Sequence, residues 1–217
     1  MFVKICGITT PADAQVAVEA GADAVGLIFA PSRRQVDVDE ARVIAASVPD
    51  HVLVVGVFRD HLAREVLETA EAVGLRAVQL HGSETPRTSR QVHEHVPVLI
   101  RAMAAGDPQL AEIDDHGADV VLLDAPTPGA GIAFDWRLVG DLTRRHRVLL
   151  AGGLRPDTVV EAIAQVQPWG VDVASGVEAS AGRKDADAVR AFVSAAKAAG
   201  AGCGTTHPPL ADLGIAP

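Results

Sequence analysis

Two side chains in this sequence are well suited to moving protons: Cys6, in Lys4-Ile-Cys-Gly-Ile-Thr9, and Asp124, at the end of the apolar run Asp119-Val-Val-Leu-Leu-Asp124. A thiolate can take a proton and a carboxylic acid can give one, so the pair could act as general base and general acid if the fold brings both to one pocket. Two glycine-containing turns, Ala151-Gly-Gly-Leu154 and Ala174-Ser-Gly-Val-Glu178, could present backbone N–H groups to a phosphate at Gly152, Gly153, Ser175 and Gly176. Two adjacent guanidinia, Arg33 and Arg34, could hold a carboxylate through parallel hydrogen bonds, and either could be the one that does so. Each group also has a plainer reading. A lone thiol commonly packs as a small buried hydrophobe, an aspartate shortly before Pro126 can be a turn residue, and glycines and arginines abound in ordinary loops.

Chemistry of this kind needs a scaffold that delivers the groups to one end. Eight short β-branched or apolar runs recur, at 2–6, 24–29, 52–58, 77–80, 96–101, 119–123, 147–150 and 170–174, with helical stretches between them. Their spacing averages about 24 residues, the size of a strand, a helix and two short loops. Such alternation implies parallel strands joined by right-handed crossovers. Four related segments, Gly21-Ala-Asp23, Gly74-Leu-Arg76, Gly117-Ala-Asp119 and Gly170-Val-Asp172, precede every second strand. In each, the glycine is expected to end the preceding helix in a left-handed conformation. Eight units predict a closed (β/α)8 TIM barrel in a single domain over residues 1–198. The first turn carries neither GxGxxG nor a phosphate-loop lysine, which disfavours an open dinucleotide-binding sheet. Residues 199–217 lose periodicity and are rich in Gly and Pro, so they are expected to form a flexible tail, with Cys203 incidental within it.

In a barrel the reacting groups lie at the C-terminal strand ends. Alternation along the first run puts Lys4 and Cys6 inward and Val3 and Ile5 toward the helices, and the same parity puts Asp124 inward with Val120 and Leu122. Gln79 and His81 end the fourth run and are candidate substrate contacts, with His81 open between direct contact and support. Lys4 and Asp172 fall on strands that adjoin when the barrel closes, so an interior ion pair is expected, and Asp172 is a further candidate at the site.

Composition narrows the partners. The 217 residues carry 19 basic and 28 acidic side chains, a net charge of −9, which argues against nucleic acid or an anionic membrane as partner. Hydrophobic residues make up 48% but aromatics only 3%, so the core must be built from Val, Ile, Leu and Ala, as suits buried parallel strands. The chain has two cysteines far apart and no HExxH, and His93 and His95 lie two positions apart. No disulfide framework or metal site is therefore expected. The first residues do not resemble a signal peptide and no apolar run approaches a membrane span, so a soluble cytoplasmic protein is expected.

Taken in order, VKICGIT at 3–9, GADAVGLIF at 21–29, SRRQV at 32–36, VGVF at 55–58, VQLHG at 78–82, LLDA at 122–125, FDW at 134–136, AGGL at 151–154 and DVASGVE at 172–178 resemble the phosphoribosylanthranilate isomerase family. The resemblance spans about residues 2–197. It implies a cofactor-free barrel of tryptophan biosynthesis, monomeric or homodimeric, that acts on a small-molecule substrate. The implied reaction is the Amadori rearrangement of N-(5-phosphoribosyl)anthranilate to 1-(2-carboxyphenylamino)-1-deoxyribulose 5-phosphate. By the same resemblance Cys6 is the general base, Asp124 the general acid and Arg34 the holder of the anthranilate carboxylate. Phosphate then rests on Gly152, Gly153 and the backbone near Ser175 and Gly176. The segment Pro128–133 departs from the family pattern in lacking its hydroxyl and lysine side chains. Two rivals are the related histidine-pathway isomerase, which uses paired aspartates and two phosphate sites, and a barrel that binds a sugar phosphate without converting it.

Overall fold

A computed structural model describes residues 1–124 and 142–201. Eight parallel strands close on themselves in chain order: β1 (Phe2–Cys6), β2 (Ala24–Ile28), β3 (Leu53–Phe58), β4 (Ala77–Leu80), β5 (Val98–Ala104), β6 (Val120–Asp124), β7 (Arg147–Leu150) and β8 (Gly170–Val173). The helices on the outside are α1 (Pro11–Glu19), α2 (Val38–Ala46), α3 (Ala63–Val73), α4 (Pro86–His93), α5 (Leu142–Arg145), α6 (Val159–Val166) and α7 (Ala186–Gly200). A 3₁₀ segment, Pro108–His116, replaces an α-helix between β5 and β6. After β8 come a single 3₁₀ turn, Ser175–Val177, and a small antiparallel pair, β9 (Glu178–Ser180) with β10 (Arg183–Lys184).

Helix starts are written plainly in the chain. Thr10 and Thr85 each cap a helix whose first residue is proline, and Asp37 forms a reciprocal capping box with Glu40. Such caps satisfy N–H groups that have no partner within the helix. Helix α7 extends two residues beyond the expected boundary at 198, and Gly200 packs tightly against Met1. Cys203, the rest of the expected tail, the 128–133 segment and FDW at 134–136 lie outside the described residues.

Strand parity sorts the core into two shells. Leu53, Val55, Ala77, Val98, Ile100, Val120, Leu122 and Leu149 fill the barrel interior, while Val3, Ile5, Val25, Leu99, Val121 and Leu150 pack beneath the helices. Phe2 stacks on Trp169 at 4.5 Å where β1 and β8 begin, so these two rings occupy the N-terminal end of the interior. Barrel closure places Lys4 opposite Asp172, and their heads meet at 2.8 Å as expected.

The Gly-x-Asp repeat has a mechanical basis in two copies. Asp23 accepts the Val3 N–H at 2.7 Å and Asp119 accepts the Leu99 N–H at 2.9 Å, so each carboxylate ties the strand it precedes to the neighbour before it. Gly21, Gly74 and Gly117 have the expected positive φ. Gly170 does not end a helix: it is the first residue of β8, where a Cβ would come within 2.8 Å of the Phe2 carbonyl. The left-handed position closing α6 belongs instead to Gln167. The fifth strand also lies further along than the 96–101 run suggests. Pro97 lacks the N–H a ladder needs, and Ala102, Met103 and Ala104 pair with Leu122, Leu123 and Asp124.

Candidate active site

Cys6 ends β1 with its side chain turned inward beside Lys4. The neighbouring position on β2 is Gly26, where a Cβ would lie 2.8 Å from the sulfur and 3.2 Å from the Lys4 ammonium, so only glycine leaves room for both. Burial pushes the Cys6 thiol up, and Asp172 pushes in the same direction. Lys4 and Lys184 pull it down without cancelling the rise. Burial also opposes the charge on Lys4, but Asp172 and then Cys6 outweigh it and hold the ammonium above its usual value. The base candidate therefore rests as a thiol next to a buried cation.

Asp124 ends β6, three strands from β1 around the closed wall, and is only 8% exposed. His81 Nε2 lies 3.4 Å from its Oδ2, and the Gln79 amide nitrogen lies 3.1 Å from His81 Nδ1. Where that amide donates to Nδ1, the imidazole proton sits on Nε2 and faces the carboxyl group. Gln79 itself is buried, and its contact with His81 joins it to the Asp124 end of the rim. The turn that carries His81 is fixed from behind by Arg101, a fully buried guanidinium on the outward face of β5. Arg101 donates to the carbonyls of Leu80 and Gly82 and to Glu84 Oε2.

A small cavity of about 70 Å³ sits between the ends of β7 and β8, lined by Gly152, Gly153, Ser175, Gly176, Asp172 and Asp124. Gly152 and Gly153 have φ of 86° and 70°, two consecutive residues in the backbone region that favours glycine, so this turn brings no side chain to the cavity it lines. The four residues expected to hold phosphate are thus brought together, with the acid candidate in the same wall.

Arg33 is exposed, whereas Arg34 folds inward across Gly7, where a Cβ would lie 2.6 Å from Arg34 Cδ. Arg34 donates from Nε and Nη2 to the two carboxylate oxygens of Glu178 at 2.7 and 2.9 Å. Glu178 also accepts from Lys184 at 3.1 Å. Burial works against the Glu178 charge, but Arg34 and Lys184 outweigh it and hold the carboxyl below its usual value. Lys184 and Arg101 were missed from the sequence. Neither lies at an inward position of a barrel strand, which is where the sequence pattern points.

The fold and site define a (β/α)8-barrel protein whose C-terminal rim carries a buried thiol, a buried carboxyl group and a glycine-lined cavity. The chain belongs to the N-(5'-phosphoribosyl)anthranilate (PRA) isomerase family, whose model matches residues 3–195. It is 45% identical over 205 residues to N-(5'-phosphoribosyl)anthranilate isomerase of Trichlorobacter lovleyi, covering 91% of this chain and 98% of the relative. Among solved structures it resembles phosphoribosyl anthranilate isomerase from Thermus thermophilus, with TM-score 0.85, 39% identity and coverage of 91% and 99%. It also resembles a phosphoribosyl anthranilate isomerase in complex with reduced 1-(o-carboxyphenylamino)-1-deoxyribulose 5-phosphate, with TM-score 0.82, 39% identity and coverage of 91% and 99%.

Proposed function

We propose that this protein isomerises N-(5-phosphoribosyl)anthranilate to 1-(2-carboxyphenylamino)-1-deoxyribulose 5-phosphate, with Asp124 as general acid and Cys6 as general base. The observation that carries the assignment of roles is the shared rim: the glycine cradle lies at the ends of β7 and β8, Asp124 ends β6 on one flank of it and Cys6 ends β1 on the other. A phosphate held at Gly152, Gly153, Ser175 and Gly176 puts the ribose ring between them.

Asp124 gives its proton to the ring oxygen as the C1′–O bond breaks, leaving a cationic Schiff base at the anthranilate nitrogen. The Cys6 thiolate removes the C2′ proton, and those bonding electrons neutralise the iminium to give an enol. Protonation at C1′ and loss of the hydroxyl proton then deliver the ketone. Because burial holds Cys6 as a thiol, the base has to be ionised on substrate binding or by the cation formed in the first step. Arg34 binds the anthranilate carboxylate, and His81 supports Asp124.

The same reading makes residues 1–198 the catalytic domain, gives 199–217 no part in the reaction and needs only one chain for a complete site, as a monomer or homodimer in the cytoplasm. The histidine-pathway rival is set aside by the family match. Loss of anthranilate-substrate fluorescence on turnover tests the activity. A protein that binds the substrate and leaves its fluorescence unchanged would instead be a binding barrel.

A further inference from the structure

Lys184 ends β10 with a fully buried side chain, and its three ammonium protons have three acceptors: the Cys6 carbonyl at 2.7 Å, the Ala174 carbonyl at 2.9 Å and Glu178 Oε1 at 3.1 Å. The first acceptor is the backbone of the base candidate, the second immediately precedes the Ser175-Gly176 half of the phosphate cradle, and the third holds Arg34. Glu178 occupies the side edge of that guanidinium, formed by Nε and Nη2. Nη1 has no partner among the described residues, so the end edge, formed by Nη1 and the second Nη2 proton, is left to grip another carboxylate in the same two-pronged way. Charge balance points in the same direction. Arg34 paired with Glu178 alone would offer an anion no net charge, whereas the buried Lys184 leaves the trio at +1.

We propose that Glu178 and Lys184 are positioning residues for recognition of the substrate's aromatic carboxylate. Glu178 fixes which edge of Arg34 is presented. Lys184 holds Glu178 in register with the Cys6 strand and the phosphate cradle, so that the distance from carboxylate to phosphate on the ligand is read by one rigid cluster. Gly7 completes it by letting the Arg34 stem lie flat against the backbone. This inference rests on the reading that Arg34 binds the anthranilate carboxylate.

The test compares two stable ligands by calorimetry, the reduced product 1-(2-carboxyphenylamino)-1-deoxyribitol 5-phosphate and its phenylamino counterpart without the carboxylate. The unmodified protein is expected to prefer the carboxylated ligand, and Arg34→Ala to abolish that preference. Glu178→Gln should cut the preference by about tenfold, the worth of one misdirected charge-assisted hydrogen bond, while affinity for the ligand without the carboxylate stays within about threefold. Equal loss for both ligands would reduce Glu178 to a structural role and overturn the inference. So would an intact preference in Glu178→Gln alongside its loss in Arg34→Ala, though the Arg34 reading would then survive. A preference that survives Arg34→Ala would remove that reading and the inference together. Should Glu178→Gln not fold, Glu178→Asp keeps the charge opposite Lys184 but withdraws the carboxylate by one methylene, and the same loss of preference is expected of it.

Discussion

At the residue scale, the roles proposed for Cys6 and Asp124 are proton transfers, so conservative removal of either function should spare the fold and stop the chemistry. Cys6→Ser and Asp124→Asn are each expected to lower kcat by at least about 10²-fold with an unchanged circular dichroism spectrum. Near-normal turnover in either variant would remove that residue's assignment. The environment of Cys6 also predicts a pH profile. Burial is the largest influence on the thiol and raises it, so alkylation of Cys6 by iodoacetamide in the free protein, followed on the peptide that carries it, should accelerate with pH and reach its midpoint above about 8.5, the ordinary thiol value. A midpoint near neutrality would mean that Lys4 and Lys184 overcome burial, and that the thiolate exists before substrate arrives. Both residues were legible in the chain because each ends an apolar run whose parity turns it inward. Gln79 and His81 were legible only as a position. Their arrangement as amide, imidazole and carboxyl depends on how far β4 and β6 lie apart across the rim, which no local pattern encodes.

At the element scale, the turns after β7 and β8 combine two needs: a left-handed backbone and closely approaching strand ends. Gly153→Ala places a Cβ on a residue with φ of 70°. The variant should lose about 1–2 kcal/mol of stability in denaturant titrations, and it should bind the substrate phosphate less well, with KM rising more than kcat falls. An unchanged KM would mean that the phosphate rests elsewhere. The cradle was readable from AGGL and ASGVE because glycines on consecutive closing strands have few other uses. The β9–β10 pair was not, since two short strands with Gly182 between them leave no periodic trace. Lys184 became visible only once that hairpin folded back over β1. The repeated Gly-x-Asp segment shows the opposite limit. The same three-residue pattern at Gly170 serves another purpose, because there the chain is already inside a strand and its aspartate faces Lys4 rather than a neighbouring backbone N–H.

At the scale of the whole molecule, the Lys4–Asp172 pair spans the seam where the first strand meets the last. Both groups are buried, so removing one leaves an uncompensated charge in the interior. Lys4→Met is expected to cost about 3–5 kcal/mol in urea unfolding, and Lys4→Met combined with Asp172→Leu to recover most of it. A single variant within about 1 kcal/mol of the unmodified protein would show that the seam is held by backbone pairing and the Phe2–Trp169 stack alone. The double variant, expected to fold without either charge beside Cys6, also isolates the influence of this pair on the thiol through its alkylation profile.

The sequence by itself determined the barrel, the inward parity of Cys6, Lys4 and Asp124, and the cradle glycines. These follow from period-two alternation, the regular spacing of βα units and the few conformations open to a glycine pair, all of which are local. Only the tertiary structure turned Arg34 inward and left Arg33 exposed, brought Glu178 and Lys184 to Arg34, and placed Arg101 behind the His81 turn. Those outcomes depend on where separate loops meet once eight strands close into a ring. Arg34 and Glu178 are 144 positions apart in the chain, yet their charged groups lie 2.7 Å apart in space.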